Sequence, residues 1–186
     1  FLENVLNWEN IRNSSRIKNI SILSISTITG NAISGIFWLY LAGLMGEESY
    51  GELGYLIAIA GITSNVVLIG GVWTMTIYTA KKVDVQPVLY LISIISSGIS
   101  ALILYFLFQN AGLSIFVIGF VIFNLTLAEV NGRKLYTDYS KFFILQKIFF
   151  VLISLGLFQF IGPEGILIGY GLSYIPFFKR MYISLR

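Results

Sequence analysis

Lys147 stands where a charge is expensive. It interrupts the run ILQKIFFVLISLGLFQF, residues 144–160, and a helix that began after it would cover only 148–161. That is about 21 Å, too short to cross a ~30 Å hydrocarbon core. The lysine therefore belongs inside a membrane helix, roughly two turns below the nearer surface. There it either snorkels to the headgroups or faces an internal cavity, where its ammonium would attract an anion. Glu129 lies at a similar depth at the end of the preceding apolar run. It either pairs with Arg133 one turn on or reaches Lys147 across an antiparallel helix contact. Asn31, Asn65 and Asn124 fall near mid-membrane, and Gln146 adjoins Lys147. Amides in such places hydrogen-bond between helices or line a wet cavity. Lys147, Asn31, Asn65, Asn124 and Gln146 are thus the candidate cavity residues, and Glu129 with Lys147 a candidate ion pair.

Other chemistries find no residues. The chain has no histidine and no cysteine, which removes the usual general base, thiolate ligands and disulfides. Asp84 and Asp138 are isolated, no GxxxxGK[ST] phosphate loop occurs, and the acidic cluster that metal-assisted phosphotransfer needs is missing. No metal or cofactor is implied, and an enzyme is disfavoured. A net charge of +3 over 186 residues is too weak to argue for nucleic acid.

The elements that must position these groups follow from hydropathy. The chain is 56% hydrophobic and 11% charged, against about 25% charged in soluble domains, so lipid is the expected solvent. Behind a polar segment at 1–18, apolar runs at about 19–44, 53–79, 87–108, 113–131, 142–161 and 164–180 predict six transmembrane helices. The sixth is marginal, interrupted by Gly169, Gly171 and Pro176. The runs are continuous rather than alternating, which excludes barrel strands, and the connections are short. The expected fold is an all-α membrane protein, a six-helix up-down bundle. Small residues at Gly165-x-x-x-Gly169, Ser26-x-x-x-Gly30 and Ser97-x-x-x-Ala101 suit close helix contact, within the bundle or in a homodimer. Trp38, Tyr40, Tyr50 and Tyr55 at one end, and Tyr78, Tyr136, Tyr139 and Tyr182 at the other, fit interfacial belts; Trp73 is expected to pack inside.

Charge orients the bundle. All 12 basic residues (Arg12, Arg16, Lys18, Lys81, Lys82, Arg133, Lys134, Lys141, Lys147, Lys179, Arg180 and Arg186) fall on one side. The opposite turns, near 45–52, 109–112 and 162–165, carry Glu47, Glu48, Glu52 and Glu164 and no cation. The positive-inside rule then places both termini in the cytoplasm.

Residues 36–71, IFWLYLAGLMGEESYGELGYLIAIAGITSNVVLIGG, carry Leu44-Met45-Gly46, Tyr50-Gly51 and Gly70-Gly71, and residues 162–180 carry Gly162, Gly165, Gly169 and Ser173 in a similar rhythm. In these stretches the chain resembles the polysaccharide-unit flippases of the multidrug/oligosaccharidyl-lipid/polysaccharide (MOP) exporter superfamily. The resemblance covers about 160 residues. It implies the first of two six-helix lobes around an alternating-access cavity in the cytoplasmic membrane. It also implies export of a lipid-diphosphate-linked oligosaccharide, with Lys147 toward the diphosphate, amides toward the sugars, and a missing C-terminal lobe or a second copy as partner. The cation often found near the inner end of helix 2 in such flippases is replaced by TMTIYTA, with charge only at Lys81 and Lys82. Helix 1 has no acid of the kind drug-exporting relatives use. The alternative is a small six-helix membrane protein acting as a homodimeric transporter or scaffold in cell-surface glycan assembly.

The topology has a direct test. A Glu48→Cys variant in intact cells is expected to react with an impermeant maleimide from outside; reaction only after the cytoplasmic side is opened would reverse the orientation.

Overall fold

The computed structural model describes residues 15–185, with side chains from Ile17 onward. Arg12, Arg186 and most of the 1–18 segment lie outside the described residues, and of Arg16 only the backbone is described. The chain forms helices α1 (Ser15–Met45), α2 (Glu47–Val67), α3 (Gly71–Ala80), α4 (Gln86–Phe108), α5 (Ala111–Gly132), α6 (Tyr136–Ile161), α7 (Pro163–Leu172), a 3-10 turn (Ile175–Phe177) and α8 (Phe178–Leu185). Among the described residues there is no strand.

Four helices, α1, α4, α5 and α6, are long and apolar enough to cross a membrane. The second expected span is broken: α2 and α3 meet at 47° and count as a fifth span only if taken together. The break has a local cause. Gly70 adopts φ +72°, the left-handed region that side chains avoid. Ile69 and Gly71 then donate to Val66 and Leu68 in tighter i→i−3 bonds instead of continuing the α ladder. The expected sixth helix is divided too. Pro176 has no N–H to donate and disfavours helical backbone at the residue before it, so α7 ends at Leu172 and a 3-10 turn intervenes before α8.

The turns are shorter than hydropathy indicates. Gly46 alone, at φ +75°, separates α1 from α2, so Glu47 and Glu48 occupy the first helical turn rather than a loop. Their carboxylates suit that position, where unpaired N–H groups leave a partial positive charge. Likewise α6 begins at Tyr136, six residues before the expected 142, because polar residues 136–141 still propagate a helix once packing holds it. At the turn between α4 and α5, Asn110 accepts from Leu113 N at 3.2 Å and caps α5.

α5 is the centre of the bundle, buried around most of its circumference from Leu113 to Gly132. It touches α2, α3, α4, α6, α7 and α8, whereas α1 lies at the edge against α6. All three small-residue motifs are spent inside the bundle. A Cβ at Gly165 would sit 2.5 Å from the Leu157 backbone, and one at Gly169 2.6 Å from Ser154 Cα, so α7 lies directly on α6. Gly30 faces the Phe143 ring in the same way, and the Ala101 carbonyl accepts from Ser114 Oγ at 2.7 Å. Trp73, by contrast, is 74% exposed rather than packed inside.

The packing separates two kinds of glycine. Gly169→Ala forces a methyl into backbone and should cost about 2 kcal/mol of unfolding free energy. Gly35→Ala, where a Cβ meets nothing within 4 Å, should leave stability unchanged or raise it by up to about 1 kcal/mol. Denaturant titration of the purified chain in one detergent compares the two.

Candidate functional site

Lys147 lies within a long apolar helix, α6. With α6 starting at Tyr136, it lies about 16 Å into the helix, close to its midpoint. Gly30, midway along α1, opens the space it occupies: a Cβ there would come within 3.3 Å of Lys147 Cγ. The ammonium lies 5.4 Å from the Phe143 ring centroid and 5.9 Å from that of Tyr170. The negative faces of two rings attract a cation without neutralising it. Tyr170 is itself fixed by stacking on Phe150 at 3.9 Å and on Tyr174 at 5.7 Å. Lys147 is partly exposed, and among the described residues no carboxylate lies within ion-pair distance of it.

The expected Glu129–Lys147 pair therefore does not form. Glu129 is 1% exposed and is held by other groups. Arg133 Nε donates to Oε1 at 2.8 Å, and Arg180 Nε lies 3.6 Å from the same oxygen. Tyr90 Oη and Ser184 Oγ donate to Oε2 at 3.0 and 3.2 Å. The carboxylate sits near the C-terminal end of α5, where the helix dipole opposes a negative charge. Two guanidiniums and two hydroxyls from α4, α5 and α8 compensate it. This is a structural junction rather than a wall of a cavity.

The four amides separate as well. Gln146 is 1% exposed and donates to Ser173 Oγ at 2.9 Å. It locks α6 to the segment after α7 and lines no cavity. Asn65 and Asn124 turn back on their own helices, donating to Gly61 O at 2.8 Å and Phe120 O at 2.9 Å. Neither makes the expected interhelical bond. Asn65 and Asn31 are exposed, and Asn31 adjoins Gly30 beside the Lys147 stem. The structure thus brings Lys147 and the Gly30–Asn31 segment together and leaves Asn65, Asn124 and Gln146 apart.

What sequence reading missed is Tyr170, whose ring completes the lysine's setting, together with Tyr90, Arg180 and Ser184 around Glu129. Tyr90 and Ser184 are ordinary apolar-run and tail residues in sequence; only the crossing of α4, α5 and α8 makes them ligands of a carboxylate. Also missed is a cleft of about 730 Å³ between the α3–α4 and α5–α6 turns. Its walls include Lys82, Asp84, Gln86, Arg133 and Lys134, and none of the candidate cavity residues. A signal for it existed: Ala80-Lys81-Lys82-Val83 and Gly132-Arg133-Lys134-Leu135 repeat one small–basic–Lys–apolar pattern.

Compared with family models, curated proteins and solved structures, the chain matches none.

The Glu129 junction makes a specific prediction. Glu129→Gln keeps the shape but leaves two arginines without a counter-charge. Because both are partly solvated, the expected loss is about 2 kcal/mol rather than the 3–5 of a fully buried pair. Limited trypsin digestion should show faster cleavage after Lys179 and Arg180 as α8 loosens; an unchanged digestion rate and unchanged stability would show that the junction is not needed to hold α8.

Proposed function

We propose that this chain is the N-terminal six-helix lobe of a MOP-type flippase in the cytoplasmic membrane. It exports a lipid-diphosphate-linked oligosaccharide by alternating access, with both termini in the cytoplasm. In this reading α2–α3 and α7–α8 are bent second and sixth spans. Lys147 meets the diphosphate, and Asn31 a sugar hydroxyl.

One observation carries the reading: amid exposed apolar side chains such as Ile28, Leu39 and Ile62, α1 and α2 each carry a strip of small and polar residues that no neighbour in the chain fills. On α1, Ser24, Asn31, Gly35 and Ala42 are exposed along one strip. On α2 the strip is Gly51, Gly54, Ala58 and Asn65, all exposed, with the half-buried Gly61 between the last two, at alternating spacings of three and four. A Cβ at Gly35, Gly51, Gly54 or Gly61 would meet nothing within 4 Å. A helical glycine costs about 1 kcal/mol relative to alanine, and nothing within this chain offsets these four. Small and polar strips let a second helix surface approach closely. The outward faces of α4 and α6 lack such a strip. They carry Ile92, Ile95, Ile99, Leu102 and Phe106, and Leu145, Ile148 and Leu152, as lipid contact requires; an open glycine there is solitary, Gly98 or Gly156. The unneutralised Lys147 supports an anionic substrate, since an intramembrane cation without a carboxylate is costly unless something else provides charge.

The same strips fit a second copy of the chain, which keeps the homodimeric transporter or scaffold as the second reading. Cysteines at Gly35 and Gly61 distinguish the two: cross-links to a different lobe support the flippase, and cross-links between identical chains support the homodimer. For the substrate role, Lys147→Ala should abolish or strongly reduce glycan export in cells at normal protein abundance, while Lys147→Arg should restore part of it. Export at the wild-type level by Lys147→Ala would overturn the assignment.

A further inference from the structure

The cleft between the α3–α4 and α5–α6 turns is built from two matching helix ends. After α3, Lys82 adopts φ +59°; Lys82 N donates to Thr79 O and Val83 N to Tyr78 O. After α5, Lys134 adopts φ +60°; Lys134 N donates to Asn131 O and Leu135 N to Val130 O. Both are Schellman caps, in which the left-handed residue is usually glycine and sometimes asparagine. The helices meet closely at this level. A Cβ at Gly132 would lie 2.6 Å from Thr76 O and 2.8 Å from Thr79 Cβ, so the two caps stand side by side and their lysines line one cleft.

Local structure does not ask for lysine at either cap. Among non-glycine residues a positive φ is uncommon and costs free energy. The third such residue, Gln109 at φ +51°, offsets its cost locally, because its amide donates to Phe106 O at 3.1 Å. The side chains of Lys82 and Lys134 make no hydrogen bond or ion pair among the described residues. Arg133 adds a third cation, with its Nε turned toward Glu129. The opposing charge in the wall is Asp84, which makes no ion pair among the described residues. The cleft is therefore net positive. In a Schellman cap the residue after the left-handed one usually packs back on its helix. Here those residues, Val83 and Leu135, are 45% and 40% exposed. Each free lysine thus adjoins an outward apolar side chain.

We propose that this cleft binds the headgroup of an anionic phospholipid, with the phosphate between Lys82 and Lys134. Val83 and Leu135 lie against the glycerol and upper acyl region, and Asp84 accepts from a headgroup hydroxyl. Basic pockets between membrane helices on the cytoplasmic side hold anionic headgroups for the same electrostatic reason. The exposed apolar pair favours lipid over a soluble anion, which would gain nothing from Val83 and Leu135. The cleft does not include Lys147 among its lining residues and does not depend on the transport reading.

Glycine suits both caps, which makes the test clean. The purified chain in detergent is melted with increasing phosphatidylglycerol, phosphatidylcholine or inorganic phosphate. For the wild type, phosphatidylglycerol should raise the melting temperature, and the other two should not. Lys82→Gly/Lys134→Gly should melt at the wild-type temperature or higher without lipid, and should need about thirtyfold more phosphatidylglycerol for the same rise. Lys82→Asn/Lys134→Asn, which also tolerates the left-handed backbone, provides the same comparison if the glycine variant fails to fold. A response to phosphatidylglycerol in these variants equal to the wild type would overturn the proposal. Equal stabilisation of the wild type by inorganic phosphate would overturn the lipid assignment.

Discussion

The carboxylate of Glu129 is the most demanding group in the bundle, because it is buried, ionisable and placed where its own helix dipole opposes it. Its four oxygen contacts come from three helices. Satisfying one acid therefore draws α4 against α5 through Tyr90 and folds the tail back so that Arg180 and Ser184 arrive. Without that requirement α8, eight residues long and separated from α7 by a 3-10 turn, would have little to hold it. The polar cost and the position of the C-terminal helix are one problem with one solution.

Around that junction the bundle follows the physics of packing in lipid. No hydrophobic drive pulls helices together, so contact is won where small residues admit a neighbour. Gly165 and Gly169 seat α7 on α6, Gly119 faces Tyr174 and Gly132 faces Thr79. The aromatic column of Phe150, Tyr170 and Tyr174 fills the space beside them. These contacts leave Gly35 of α1 and Gly51, Gly54 and Gly61 of α2 with no neighbour to admit.

Lys147, Lys82 and Lys134 show how one residue type occupies different settings. Lys147 has its stem accommodated by Gly30 and its charge over two rings. Lys82 and Lys134 project from helix ends into a cleft beside exposed apolar residues. Among the described residues, no carboxylate forms an ion pair with the lysines in either place.

Composition and run length alone determined that the chain is all-α and apolar enough to cross a membrane several times, because backbone in lipid must satisfy itself and only sustained hydrophobicity allows that. The sign asymmetry of the charged residues and the interruption of the sixth run at Pro176 were also legible, since each rests on a residue's intrinsic chemistry, whereas the break at Gly70 fell inside a run read as one helix, 53–79. Helix ends were not: residues 47–52 and 136–141 are polar yet helical, because packing rather than hydropathy decides where a helix stops. Nor were the partners. Glu129 had Arg133 one turn on and Lys147 on the next helix, and only the way α8 returns to α5 brought Arg180 rather than Lys147 to it. Asn65 and Gln146 look alike in sequence, but one faces outward on its own helix and the other is sealed against Ser173. A side chain's cost is a property of the residue; which neighbour meets that cost is a property of how helices distant in sequence cross.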